Sequence, residues 1–131
     1  TLYLLDEHYV HKASNEDTAT WIREKGYNDF PVTCDSAEPK SIADYRASGI
    51  NAHAAIKGAG SVEYSMKWLQ RRKIVVDKRR TPNAYKELIS YEYERNKDGD
   101  IISGYPDKNN HAIDAMRYCC EPIYRIYGVK A

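Results

Sequence analysis

At 131 residues the chain is long enough for one domain with a single buried core and too short for two. Its 20 basic and 19 acidic side chains leave a net charge of +1, so overall charge gives no argument for nucleic acid and local clusters must carry any such case. No run of about 18 apolar residues occurs, which excludes a transmembrane helix.

In chain order, Leu2 to Leu5 with Tyr9 and Val10 read as a β-rich opening of roughly a dozen residues. Ser14 supplies a helix N-cap, with Asp17 as an acid in the first turn; the helix carries Thr20, Trp21 and Ile22 and stops near Gly26. Pro31-Val32-Thr33-Cys34 is a short apolar strand of the buried type, and Asp35 follows at its C-terminal end. Pro39 opens a second helix through Ile42, Tyr45 and Ala47, ending at Gly49. Ala52 to Ile56 reads as a strand, and Ser61 caps a helix containing Val62, Met66, Trp68 and Leu69.

Lys73 to Val76 is the next strand, with Asp77 at its end. Thr81-Pro82 starts a helix, Thr as N-cap and Pro at the first position, with Ala84, Leu88 and Tyr91 on one face. Lys97 to Asp100 is a turn and Ile101-Ile102 a brief extended piece. The last helix starts near Asn110 and runs through Ile113, Met116 and Arg117 toward Tyr118. Strands alternating with helices predict an α/β domain with at least partly parallel pairing, in which ligands gather at the C-terminal ends of strands.

Cys34, Cys119 and Cys120 lack ligand spacing and read as structural thiols. Thr1 in place of Met, followed at once by a strand pattern, reads as an excised piece of a longer polypeptide.

Two clusters could carry chemistry. Asp35 opens the loop Asp35-Ser36-Ala37-Glu38-Pro39; its plain alternative is a cap or turn. Glu38 is either a capping-box partner or a carboxylate near a metal. The second cluster is Asp107-Lys108-Asn109-Asn110-His111-Ala112-Ile113-Asp114, where His111 and Asp114 are three apart and share a helix face. The alternative there is an exposed, solvated pair. A hard divalent cation needs carboxylate oxygens and tolerates retained water. Two-metal phosphodiester cleavage needs carboxylates converging from separate elements, with the ions about 4 Å apart. A strand-end Asp and a helix Asp would supply part of such a site, and the His a ligand or proton shuttle.

Lys57-Gly58-Ala59-Gly60-Ser61 lacks P-loop spacing, so ATP binding is unsupported. It reads as a strand-to-helix turn, with Lys57 as a DNA contact. Arg79 and Arg80, with Lys78, are candidates for backbone phosphate against the alternative of a solvated loop. The tyrosines Tyr85, Tyr91 and Tyr93 read as half-buried helix positions rather than stacking platforms.

Three segments taken together resemble the C-terminal nuclease domain of phage terminase large subunits: Asp35-Ser36-Ala37-Glu38-Pro39-Lys40-Ser41-Ile42, Lys57-Gly58-Ala59-Gly60-Ser61-Val62 and Asn110-His111-Ala112-Ile113-Asp114-Ala115-Met116-Arg117-Tyr118. The resemblance covers nearly the whole chain. It implies a ribonuclease H-like fold, a mixed sheet flanked by helices, that cuts DNA with Mg²⁺ or Mn²⁺, two ions in the complete site. The family places one acid on the first strand, one after a central strand and one on the final helix. By resemblance Asp35 is the second acid and Asp114 the third; His111 matches a histidine of some members, and Glu38 is a residue behind the ligands.

The first-strand Asp would lie upstream of Leu2, and Asp6 and Glu7 fall on the following strand, so neither takes that role. Residues 1–131 are therefore expected to be a single nuclease domain lacking its first strand and the preceding ATPase domain. The resemblance implies double-stranded DNA as substrate, no membrane, and, in the full-length protein, the ATPase domain, small terminase subunit and portal as partners. It implies action in the cytoplasm of an infected bacterial host, or a prophage origin. The leading expectation is an endonuclease that cleaves concatemeric DNA. The alternatives are a non-catalytic DNA- or portal-docking fragment and a resolvase-like nuclease of the same fold.

Overall fold

Short apolar strands separated by capped helices build two parallel strand pairs, each over its own cluster of buried side chains. The computed structural model describes residues 1–92, 95–101, 105–106 and 108–127; Tyr93, Ile102 and Asp107 fall outside them. The elements are β1 (Leu2–Leu4), α1 (Asn15–Glu24), a 3₁₀ turn (Tyr27–Asp29), β2 (Val32–Cys34), α2 (Pro39–Ala47), β3 (Ala52–Ala54), α3 (Ser61–Gln70), β4 (Ile74–Val76), α4 (Pro82–Ser90) and α5 (His111–Tyr127). The chain has the ribonuclease H-like α/β fold. Among the described residues β1 pairs with β4 in register Leu2 to Ile74, and β2 with β3 in register Val32 to Ala52, both parallel. An antiparallel bridge joins Arg95 to Ile101 across the expected turn.

One buried cluster gathers Ala19, Ile22, Ile42, Ile50 and Ala52 from α1, α2 and β3, with Val32 and Cys34 of β2 against it. The other gathers Trp68, Leu69, Met116 and Cys120 from α3 and α5, beneath Leu2, Leu4 and Ile74. Alternation along β1 and β4 puts those residues inward and leaves Tyr3 and Val75 exposed, as period-two strands dictate. α5 also packs on β2, and so joins the two halves.

Ser14 caps α1 as expected: the Asp17 N–H donates to its Oγ at 3.0 Å. Ser14→Ala should lower stability by about 1 kcal/mol in urea unfolding, and an unchanged midpoint would refute the cap's contribution. Pro39 and Pro82 open α2 and α4 at their first turns, where a missing N–H costs nothing.

Five expectations need correction. Tyr9 and Val10 are not strand: β1 ends at Leu4, because Asp6 accepts from the Tyr27 hydroxyl and Glu7 turns toward α4. The strand expected to reach Ile56 stops at Ala54; Ala55 N–H still donates to Cys34 O, but Ile56 N–H is diverted to the Glu121 carboxylate. The cap of α3 is Gly60, at φ 74°, and Ser61 is the first helical residue with no capping bond. α5 continues past Tyr118 through Pro122, because Cys120 and Tyr124 keep its apolar stripe packed under Trp68. Tyr91 falls just after α4 rather than within it, while Tyr85 is half-buried as expected.

Candidate active site

Asp35 leaves the end of β2 and folds back on its own loop, accepting the Ala37 N–H at 2.9 Å. The same oxygen pairs with the ammonium of Lys57, which follows β3. Parallel pairing of β2 with β3 puts both C-terminal ends on one side, which brings the two residues together. Lys57, and then the Ala37 N–H, hold the Asp35 carboxyl below the usual carboxylate range. A depressed folded pKa means a contribution present at neutral pH and lost as pH falls through that range. With the two side chains 44% and 37% exposed, it amounts to less than about 1 kcal/mol.

Asp114 stands in the first turn of α5, where a carboxylate complements the helix dipole. Arg117, one turn on and only 7% exposed, donates Nη2–H to Asp114 Oδ1 at 2.8 Å and Nη1–H to Ser65 Oγ of α3 at 3.0 Å. The Arg117 charge also acts on Asp35, helping to lower its pKa. One buried guanidinium therefore stands within the field of both candidate carboxylates, as the packing of α5 on β2 requires. Lys57 completes the contact by lying 4.8 Å over the Tyr118 ring of α5.

The donor chemistry suits a hard cation. Two oxygen-donor carboxylates reach the site from separate elements, and an ion that keeps several waters needs only one or two from the protein. Among the described residues no three His, Cys, Asp or Glu side chains gather into a metal-binding group.

The remaining sequence candidates are placed as follows. His111 is exposed at the start of α5, its ring set edge-on to that of Tyr9 with centroids 6.2 Å apart. Glu38 occupies the N-cap position of α2, not the third helical position a capping-box partner needs, and accepts from the Ser41 hydroxyl at 3.0 Å. Arg79 and Arg80 are exposed on a turn after β4, held by Asp77, whose Oδ1 accepts the Arg79 N–H at 2.8 Å. Arg80 follows β4, and its charge acts weakly on the Tyr27 hydroxyl. The three cysteines are free thiols, Cys120 buried and Cys119 exposed.

Sequence reasoning missed Glu7, Tyr9, Ser65 and Glu87. Glu7 accepts from Asn83 N–H, Asn83 Nδ2–H and Ala84 N–H at the start of α4. Glu87, 5% exposed, accepts from Ala112 N–H at 2.8 Å and Ile113 N–H at 3.1 Å at the start of α5. One signal was available: Glu87 falls three residues after Ala84, a carboxylate on the apolar stripe of α4.

Comparison with known proteins shows what this arrangement is similar to. Residues 1–121 match the family described as the terminase RNAseH like domain. The terminase large subunit of Bacillus phage SPP1 is 41% identical over 98% of the chain, and the PBSX phage terminase large subunit of Bacillus subtilis (strain 168) is 31% identical over 98%. The chain spans 31% and 30% of those two relatives' lengths. The crystal structure of the large terminase nuclease domain from bacteriophage SPP1, with bound Mn, superposes with a TM-score of 0.85 at 38% identity; the match covers 92% of this chain and 70% of that one.

Proposed function

The chain belongs to the terminase RNase H-like domain family, and from that premise we propose that it is the metal-dependent endonuclease domain of a viral DNA-packaging terminase. Its substrate in this reading is concatemeric double-stranded DNA, cut by two-metal phosphodiester hydrolysis with Mg²⁺ or Mn²⁺. The observation that carries the reading is that Lys57, paired with Asp35, and Arg117, paired with Asp114, both lie over the Tyr118 ring, so carboxylates 79 positions apart in the chain are brought to one face of α5. The Mn of the SPP1 nuclease domain supports a divalent ion.

Asp35 and Asp114 would hold the metal. When bound, the ions supply Lewis acidity that favours an attacking water at neutral pH and offsets charge on the leaving oxygen. Lys57 is a mobile point charge, free to exchange its carboxylate partner for a phosphate oxygen. His111, exposed in the first turn of α5, is placed to take or give a proton at its ring nitrogen. Arg117 keeps Asp114 oriented from below, and Glu38 acts behind Asp35 through the same loop. Arg79 and Arg80 extend a basic surface toward the DNA backbone. The parent polypeptide in this reading carries an ATPase domain, meets the small terminase subunit and the portal, and works in the host cytoplasm.

A second reading, a non-catalytic DNA- or portal-docking module, draws on the absence, among the described residues, of a third carboxylate, histidine or cysteine beside Asp35 and Asp114, and on the basic side chains around them. Nicking of supercoiled plasmid in Mn²⁺, with an EDTA blank, separates the two. The nuclease reading expects metal-dependent nicking that disappears in Asp35→Asn. Nicking retained by that variant would remove Asp35 from the site, and its absence throughout, without Mn²⁺-linked stabilisation, would favour docking.

A further inference from the structure

The first turn of a helix presents N–H groups without intrahelical partners, and here that turn holds His111 and Asp114. Asp114 N–H bonds the Asn110 carbonyl at 2.8 Å, which leaves the N–H groups of Ala112 and Ile113 to be met from outside α5. Both are met by one side chain. Glu87 reaches across from α4, and its Oε1 accepts from both while Oε2 accepts a second time from Ala112 at 3.0 Å. Three short contacts from a carboxylate 5% exposed fix the axial position and rotation of this turn.

The anchor is itself anchored. The start of α4 is held by Glu7, through the two backbone amides and one side-chain amide already described. Two residues on from Glu7, the Tyr9 ring meets that of His111 edge-on, with ring centroids 6.2 Å apart.

We propose that Glu87 is a positioning residue for the metal site: it sets the first turn of α5, and through it the distance of Asp114 and His111 from Asp35. The proposal rests on the reading of Asp35 and Asp114 as metal-holding residues. An ordinary helix cap would add stability and nothing else. A positioning residue also changes how well the ion is held, because outer partners that orient ligands govern affinity.

Binding of Mn²⁺ alone to the full chain, followed by the EPR signal of the free ion, distinguishes these. Glu87→Gln keeps the shape but turns an amide N–H toward donors and loses the charge; it should bind Mn²⁺ about tenfold more weakly. Ser14→Ala, destabilised at a helix remote from the site, should bind as the parent does. Glu87→Asp keeps the charge but withdraws it by one methylene and should also weaken binding about tenfold; it carries the test alone if Glu87→Gln does not fold. Parent-like affinity in Glu87→Gln, or in Glu87→Asp where that variant stands alone, overturns the proposal and leaves the metal reading in place. A parent chain that binds no Mn²⁺ overturns the metal reading, and the proposal with it.

Discussion

Asp114→Asn is expected to lose metal-dependent cutting and, at the same time, about 2–3 kcal/mol of stability. The first effect follows from removing one of two carboxylates that would hold the ions. The second follows from what the substitution leaves behind. Arg117 is 7% exposed and, among the described residues, keeps Ser65 alone as a hydrogen-bond partner of comparable quality. Breaking a buried pair from one side costs more than the pair contributes, because the surviving charge stays desolvated. Asp114 is itself 25% exposed, so water offsets part of that cost. Arg117→Met added to Asp114→Asn should recover much of the stability and none of the cutting. Urea unfolding of the four-member cycle checks the first part and plasmid nicking the second. A single Asp114→Asn variant as stable as its parent would show that Arg117 does not depend on this pair. Asp35→Asn is the cleaner probe of catalysis, since Lys57 is exposed enough to be solvated when its partner is removed.

Trp68→Ala should cost about 3–5 kcal/mol, a large share of the stability of an ordinary domain. Trp68 is 5% exposed and stands at the meeting of α3 with α5, against Met116 and Cys120, its ring centroid 5.6 Å from that of Tyr124. The Arg72 guanidinium covers its outer face at 4.2 Å. Its indole N–H has no hydrogen-bond partner among the described residues. Trp68→Phe should therefore cost far less than Trp68→Ala, because only volume is lost and no bond is broken. Equal losses for the two, measured by chemical denaturation, would show that the indole N–H matters after all.

Local chemistry made much of this molecule readable in advance. Ser14, Pro39 and Thr81-Pro82 mark helix starts through effects confined to one turn, and the structure places helices there. Asp35 is legible because an apolar strand ends beside it, and Asp114 because its helix repeats apolar residues around it. What escaped is side-chain chemistry acting over long separations. Glu7 reads as a strand residue until Asn83 is beside it, and Glu87 takes no role until the start of α5 is on top of it. Arg117 looks solvated until Ser65 and Asp114 enclose it. Gly60 took the cap from Ser61 because a left-handed residue turned the chain, a choice that hydroxyl chemistry alone does not reveal.

The two strand pairs differ in how much of the chain must be gathered to make them. β2 meets β3 across 20 positions, with α2 as the intervening crossover, whereas β1 meets β4 across 72. Closing the longer loop costs about 1 kcal/mol more in chain entropy. The half that carries Asp35 and Lys57 is thus a local unit, able to assemble early. The half that anchors α5 waits on contacts between the two ends of the chain, with Glu7 and Tyr9 among the last groups to find their partners. Asp35 can acquire its surroundings while the domain is still incomplete, but Asp114 cannot. The two carboxylates come into register only when folding is finished, so a partly folded chain presents one of them without the other.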